Sequence, residues 1–133
     1  MTVVDTSAII ATIANEDDCT RFRQAMREAE SLEISSVTVL ETRIVLLSRL
    51  GMGAVDLFNE FLEKSGIRVV PFDGTMASAA FEAFRRFGKG RGHPAQLNMI
   101  DCAACALAKA RSQPLLFKGE DFARTDIPSA LRD

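Results

Sequence analysis

Four acidic residues of this 133-residue sequence stand where the pattern of the chain changes: Asp5, Glu41, Asp101 and Asp121. Asp5 follows the apolar pair Val3-Val4, Glu41 interrupts an apolar stretch, Asp101 opens an alanine-rich segment, and Asp121 comes just after Leu115-Leu116-Phe117. Taken singly, each has a plain use: Asp5 as a helix cap, Asp121 in a turn, Glu41 on a solvated helix face, Asp101 at the border of a core. Taken together they suggest more, because no obvious cationic partner accompanies them in sequence and carboxylates that converge need a cation. Hard oxygen ligands select Mg²⁺ or Mn²⁺ over zinc. No P-loop or nucleophilic triad competes with this reading, and the one histidine, His93, sits in a glycine-rich stretch.

The remaining chemistry-bearing residues are weaker candidates. Cys102 and Cys105 have redox or zinc spacing, but only Cys19 and His93 remain as further soft ligands, and a structural zinc site wants four. Their alanine-rich surroundings favour plain helix packing. Arg85, Arg86, Lys89 and Arg91 cluster around Gly88, Gly90 and Gly92. Glycines let a backbone approach an anion, and the cations can neutralise phosphates, so these four are candidate nucleic-acid contacts. The alternative for Arg85 and Arg86 is a solvated helix end whose charges suit the macrodipole.

The elements that must position these groups alternate between strand-like and helix-like patterns. Strands are predicted at Thr2–Asp5, Leu32–Ser36, Ile67–Phe72 and Leu115–Lys118, with Ile127 as a possible last edge strand. Helices are predicted at Thr6–Asn15, Asp17–Glu30, Val37–Leu50 with Ser36 as N-cap, Gly53–Ser65, Thr75–Phe87 and Ala95–Arg111. Strands separated by helices imply a mainly parallel sheet of four to five strands, covered on both faces: an α/β fold with three α/β/α layers. Ligands of such sheets bind beyond the carboxyl ends of the strands. Asp5 and Asp121 follow two of those ends, and Glu41 lies in the second turn of the helix entered from a third. On a helix from Ala95, Asp101 falls about 40° from Leu97, at the margin of the buried stripe. An acid there is costly without a partner.

The composition, 47% hydrophobic and 26% charged, suits one globular domain spanning residues 1–133 and excludes wholesale disorder. No apolar run reaches membrane-spanning length, and Asp5 with no basic segment before it argues against a signal peptide, so a cytoplasmic protein is expected. The net charge of −2 argues against a general nucleic-acid coat protein.

Val-Val-Asp5-Thr6-Ser7-Ala8, Glu41 after Ser36-Val-Thr-Val-Leu, Asn98-Met-Ile-Asp101-Cys102 and Phe117-Lys-Gly119-Glu120-Asp121-Phe122 together resemble a PIN domain, in particular a VapC-type toxin ribonuclease. The resemblance covers nearly the whole chain. It implies that Asp5, Glu41, Asp101 and Asp121 are catalytic acids that hold magnesium. It further implies that Ser7 (or Thr6) supports the site by hydrogen bonding and that Asn98 sits beside Asp101, just outside the metal ligands; Asp126 is either a further outer ligand or a turn residue. Glu120 departs from the pattern, since relatives commonly carry Asn or Asp there. The activity implied is hydrolysis of RNA by in-line attack, leaving a 5′-phosphate and a 3′-hydroxyl. The partners implied are a VapB-type antitoxin and a second copy in a homodimer. Val37–Leu50 is apolar around most of its circumference, so it is either wholly internal or meets another chain. Three other functions remain: a PIN nuclease of RNA maturation without an antitoxin, a non-catalytic RNA- or protein-binding PIN module, and a phosphatase with Asp5 as nucleophile. Ser7 weakens the last, because it stands where a haloacid-dehalogenase-like site wants a second aspartate.

Overall fold

The computed structural model describes residues 1–131. Four short strands, β1 (Thr2–Val4), β2 (Leu32–Ser35), β3 (Arg68–Val70) and β4 (Leu115–Leu116), form a parallel sheet in the order β3-β2-β1-β4. The register pairs Val3 with Glu33 on one side of β1 and with Leu115 on the other. Six helices connect and flank the strands: α1 (Thr6–Ile13), α2 (Cys19–Glu28), α3 (Ser36–Leu50), α4 (Met52–Lys64), α5 (Gly74–Phe87) and α6 (Met99–Arg111). A single 3₁₀ turn, Phe122–Arg124, follows β4.

Alternation along the strands produces the three layers. Val3 and Leu115 face a core made with α5 and α6, including Phe87, Leu97 and Leu107. Their neighbours Val4 and Leu116 face the opposite core, built with α1 to α4 from Ile9, Phe22, Leu46 and Phe58. Both faces of β1 and β4 are therefore buried, which is why these strands read as continuous apolar runs.

Several boundaries differ from the sequence expectation. The last long helix starts at Met99, not Ala95, because Asn98 caps it. The Asn98 side chain accepts from the Asp101 N–H (2.8 Å), and the Asp101 carboxylate accepts from the Asn98 N–H (2.9 Å). This reciprocal pair satisfies donors that helix geometry leaves open at the first turn. Leu97 is buried from the preceding loop, where it bridges to Gly88. Ser35, not Ser36, occupies the N-cap of α3, and Ser36 Oγ accepts from the Phe72 N–H (3.0 Å). The second helix begins at Cys19. Beyond β4 the edge pairing is a single parallel bridge between Leu115 and Ser129, while Ile127 contributes a buried side chain.

An acid the sequence left unremarked lies inside β2. Glu33 is almost fully buried and accepts from Arg111 Nε (2.8 Å), with Arg68 3.8 Å away. A buried carboxylate survives only when paired in this way.

Helix α3 presents three faces. Thr38, Val39, Thr42 and Leu46 are buried; Leu40, Ile44 and Leu47 are at least half exposed; Glu41, Val45 and Arg49 look into a cleft. Both alternatives for this helix are thus partly met: one side is internal, another is an apolar stripe open to solvent.

Candidate active site

Asp5 leaves β1 and becomes the N-cap of α1. One carboxylate oxygen, Oδ2, accepts from the Ser7 N–H (3.0 Å) and the Ser7 hydroxyl (2.6 Å). Ser7 Oγ in turn accepts from the Lys118 N–H (2.9 Å), which ties the start of α1 to the segment after β4. The other oxygen, Oδ1, is buried with no hydrogen-bond partner among the described residues. Burial raises the pKa of Asp5, against the lowering effect of the Ser7 hydrogen bonds.

Glu41 reaches the same edge from the second turn of α3. Burial raises its pKa, the Thr6 hydroxyl that hydrogen-bonds it works the other way, and the charge of Asp5 raises it further. Thr6 is steadied from below: the Thr42 hydroxyl lies 3.1 Å from Thr6 Oγ1 and 2.7 Å from the Thr38 carbonyl, all within the core.

Asp101 is at the third position of α6. Burial pushes its pKa up to about 7; the Asn98 N–H opposes this, and the charges of Asp5, Glu41 and Asp121 add to it. Asp121 itself is exposed, at the N-cap position of the 3₁₀ turn. The structure therefore brings Asp5, Glu41 and Asp121 within electrostatic reach of Asp101 at the carboxyl edge of the sheet. Asp5, Glu41 and Asp101 line a cleft of about 350 Å³, together with Thr6, Ser7, Glu16, Arg49 and Lys118.

The donor set fits a hard divalent cation. Asp5 Oδ1 is a buried acceptor with nothing to accept from; the charge of Asp5 raises the pKa of Glu41, and the charges of Asp5, Glu41 and Asp121 raise that of Asp101. Among the described residues no three acids form a ready-made metal cage. Magnesium suits such a site, because it keeps several waters and takes only one or two protein carboxylates. A second recess, about 250 Å³ between α5 and α6, is lined mainly by Ala79, Ala83, Phe87 and Cys105. Its acids, Glu82 and Asp126, are paired with Arg85, Arg86 and Lys109.

Other expected residues lie elsewhere. Asp126 does not join the acids; it pairs with Arg86 (3.3 Å) and Lys109 (3.9 Å) at the mouth of the second recess. Arg85 pairs with Glu82 (2.9 Å), and Arg86 also lies 4.6 Å over the Phe87 ring. Lys89 and Arg91 are exposed on a loop clipped at its base by the Gly88–Leu97 bridge. Gly90 and Gly92 there have φ of +83° and +77°, which suits glycine. None of these four cations lines the acidic cleft. The cations that do, Lys118 and Arg49, were missed by sequence reasoning. The Cys102 and Cys105 thiols are buried in α6, with pKa values pushed up to about 11 and about 12 chiefly by burial, which suits packing and not redox chemistry. His93 Nδ1 accepts from the Ala95 N–H (3.0 Å), and its ring meets Phe87 edge-on at 5.0 Å.

A parallel α/β/α sandwich with carboxylates gathered at its carboxyl edge defines the class, and the PIN domain family model matches residues 2–128. The chain belongs to the PIN domain family. It is 40% identical over 129 residues to Ribonuclease VapC28 of Mycobacterium tuberculosis, covering 97% of each protein. Its fold is that of the M. tuberculosis VapC20 crystal structure, described as a sarcin–ricin loop cleaving toxin: TM-score 0.83 at 16% identity, over 99% of this chain and 100% of that one. A toxin–antitoxin complex from Klebsiella pneumoniae superposes with TM-score 0.70 at 16% identity, over 92% and 91%.

Proposed function

We propose that this protein is a magnesium-dependent endoribonuclease toxin of a VapBC pair, hydrolysing RNA phosphodiester bonds until a VapB-type antitoxin covers its cleft. The similarity to VapC ribonucleases along nearly the whole chain supports the reaction class. The observation that carries the metal dependence is Asp5 Oδ1, a buried acceptor without a partner on an acid that shares its cleft with Glu41 and Asp101. Asp5 and Asp101 would hold Mg²⁺ (or Mn²⁺), with Glu41 and Asp121 completing the negative field. The ion, when bound, supplies charge neutralisation at the phosphate and makes water a better nucleophile.

The protein's own groups do the positioning. Ser7 fixes Asp5 Oδ2 and leaves Oδ1, buried beside the cleft, as the free acceptor. The Thr6 hydroxyl beside Glu41 favours its charged form, and the Asn98 N–H holds one oxygen of Asp101. No histidine is needed as a base, which agrees with His93 being engaged in its loop.

The exposed stripe Leu40, Ile44 and Leu47, with Met52 and Leu57 beyond it, supports a protein partner beside the cleft. An antitoxin is the partner that accounts for its position. Homodimerisation is read by sedimentation of the toxin alone. To test the activity, purified protein is given RNA with Mg²⁺, with Mn²⁺ and with a chelator. Cleavage should require the ion and be lost in Asp5→Asn. Full activity in that variant, with contaminating nuclease excluded, overturns the site.

A further inference from the structure

The acidic cleft must admit a polyanion, so at least one cation should meet it there. Lys118 is already engaged: its Nζ lies 2.8 Å from Glu16 and 3.0 Å from Asp18. Arg49 is exposed, lines the same cleft, and makes no ion pair or side-chain hydrogen bond among the described residues. Its place on α3 is informative. Glu41, Val45 and Arg49 follow at intervals of four and share the cleft face, so Arg49 lies about 12 Å along the helix axis from Glu41. A strand with one phosphate at the acids and its backbone running along α3 passes the guanidinium, whose planar fork suits phosphate oxygens. Arg43, on the same helix, is bound to Asn59 Oδ1 (3.0 Å) and does not line the cleft.

We propose that Arg49 binds a backbone phosphate flanking the scissile bond and is the residue through which α3 holds the RNA strand. The inference rests on RNA being the substrate. The competing role is structural, since a cation in the last turn of a helix also complements the macrodipole.

The test uses an RNA oligonucleotide that the wild-type protein cuts, with Arg49→Ala, Arg49→Lys and the charge-matched control Arg43→Ala. Steady-state kinetics give KM and kcat, and fluorescence anisotropy at several salt concentrations gives binding. Arg49→Ala should raise KM roughly tenfold with kcat nearly unchanged, the loss of one charge-assisted hydrogen bond pair. The slope of log affinity against log salt should flatten by about 0.7, the contribution of one phosphate on a single strand. Arg49→Lys should keep the slope and lose part of the affinity, and Arg43→Ala should change neither. If the wild-type protein cuts RNA and Arg49→Ala matches Arg43→Ala in KM and salt slope, the proposal is overturned, also when Arg49→Ala melts lower. If the wild-type protein cuts no RNA, the proposed function falls and this inference with it.

Discussion

Changing Asp101 to Asn removes one charge from the acid cluster while keeping the shape of the side chain and an oxygen to accept from the Asn98 N–H. The folded-state pKa of about 7, against 3.8 for an unperturbed Asp, means that the folded protein binds more protons than the unfolded chain across that interval. Stability of the metal-free protein should therefore fall as pH rises from about 4 to about 7 and then level off. The full shift corresponds to about 4 kcal/mol at 1.36 kcal/mol per unit. Asp101 is partly open to solvent, so about half of that, roughly 2 kcal/mol, is a sounder figure. For a protein of this size it amounts to a melting-temperature rise of roughly 6–10 °C for Asp101→Asn at pH 8 with chelator. At pH 4 the two proteins should melt nearly together. Adding Mg²⁺ should raise the wild-type melting temperature more than that of the variant, by mass action on the folded state alone. Differential scanning calorimetry at pH 4, 6 and 8, with and without the ion, reads all of this. A lower melting temperature for metal-free Asp101→Asn at pH 8 would refute the repulsion argument and give the capping role of the carboxylate the larger weight.

Two further outcomes follow from other parts of the fold. Arg111→Ala leaves buried Glu33 with only the distant Arg68, and should cost about 3 kcal/mol in urea unfolding; a loss below about 0.5 kcal/mol would mean water reaches Glu33. Ile44→Glu, on the exposed stripe of α3, should leave the melting temperature and RNA cleavage unchanged while lowering affinity for the cognate antitoxin at least tenfold in calorimetric titration; undiminished affinity would place the partner elsewhere.

The general architecture was legible because both signals that carry it are local. Apolar runs such as Val3-Val4 and Leu115-Leu116 mark strands buried on both faces, and amphipathic segments between them force parallel connections. Placing Asp5 at a carboxyl edge then needed only its position after a strand. Asp101 shows a right placement reached by a wrong step. Ala95 and Leu97 match the helical period, but they are buried from a loop, and the Asn98–Asp101 pair sets the helix start. The Asn-x-x-Asp spacing was the available signal. Clustering in sequence did not reveal the local pairing of the basic segment, where Arg85 meets Glu82 and Arg86 meets Asp126. Arg49 and Glu33 were beyond reach for a different reason. An offset of eight from Glu41 to Arg49, or an acid between Leu32 and Ile34, takes on meaning only once it is known which element packs against which.

Helix α3 divides its circumference so that Leu40, Ile44 and Leu47 stand apart from Glu41, Val45 and Arg49 by roughly 130° around the axis. With the partner and substrate surfaces proposed above, recognition and cutting draw on separate letters of one short stretch of sequence. When such a gene duplicates, the copies can drift at positions 40, 44 and 47 until each answers to its own inhibitor, while the cutting machinery a few residues away stays untouched. A genome could in this way accumulate many toxins of one chemistry without cross-silencing. Sequence comparison among duplicated copies should then find variation concentrated on one side of this helix and constancy on the other.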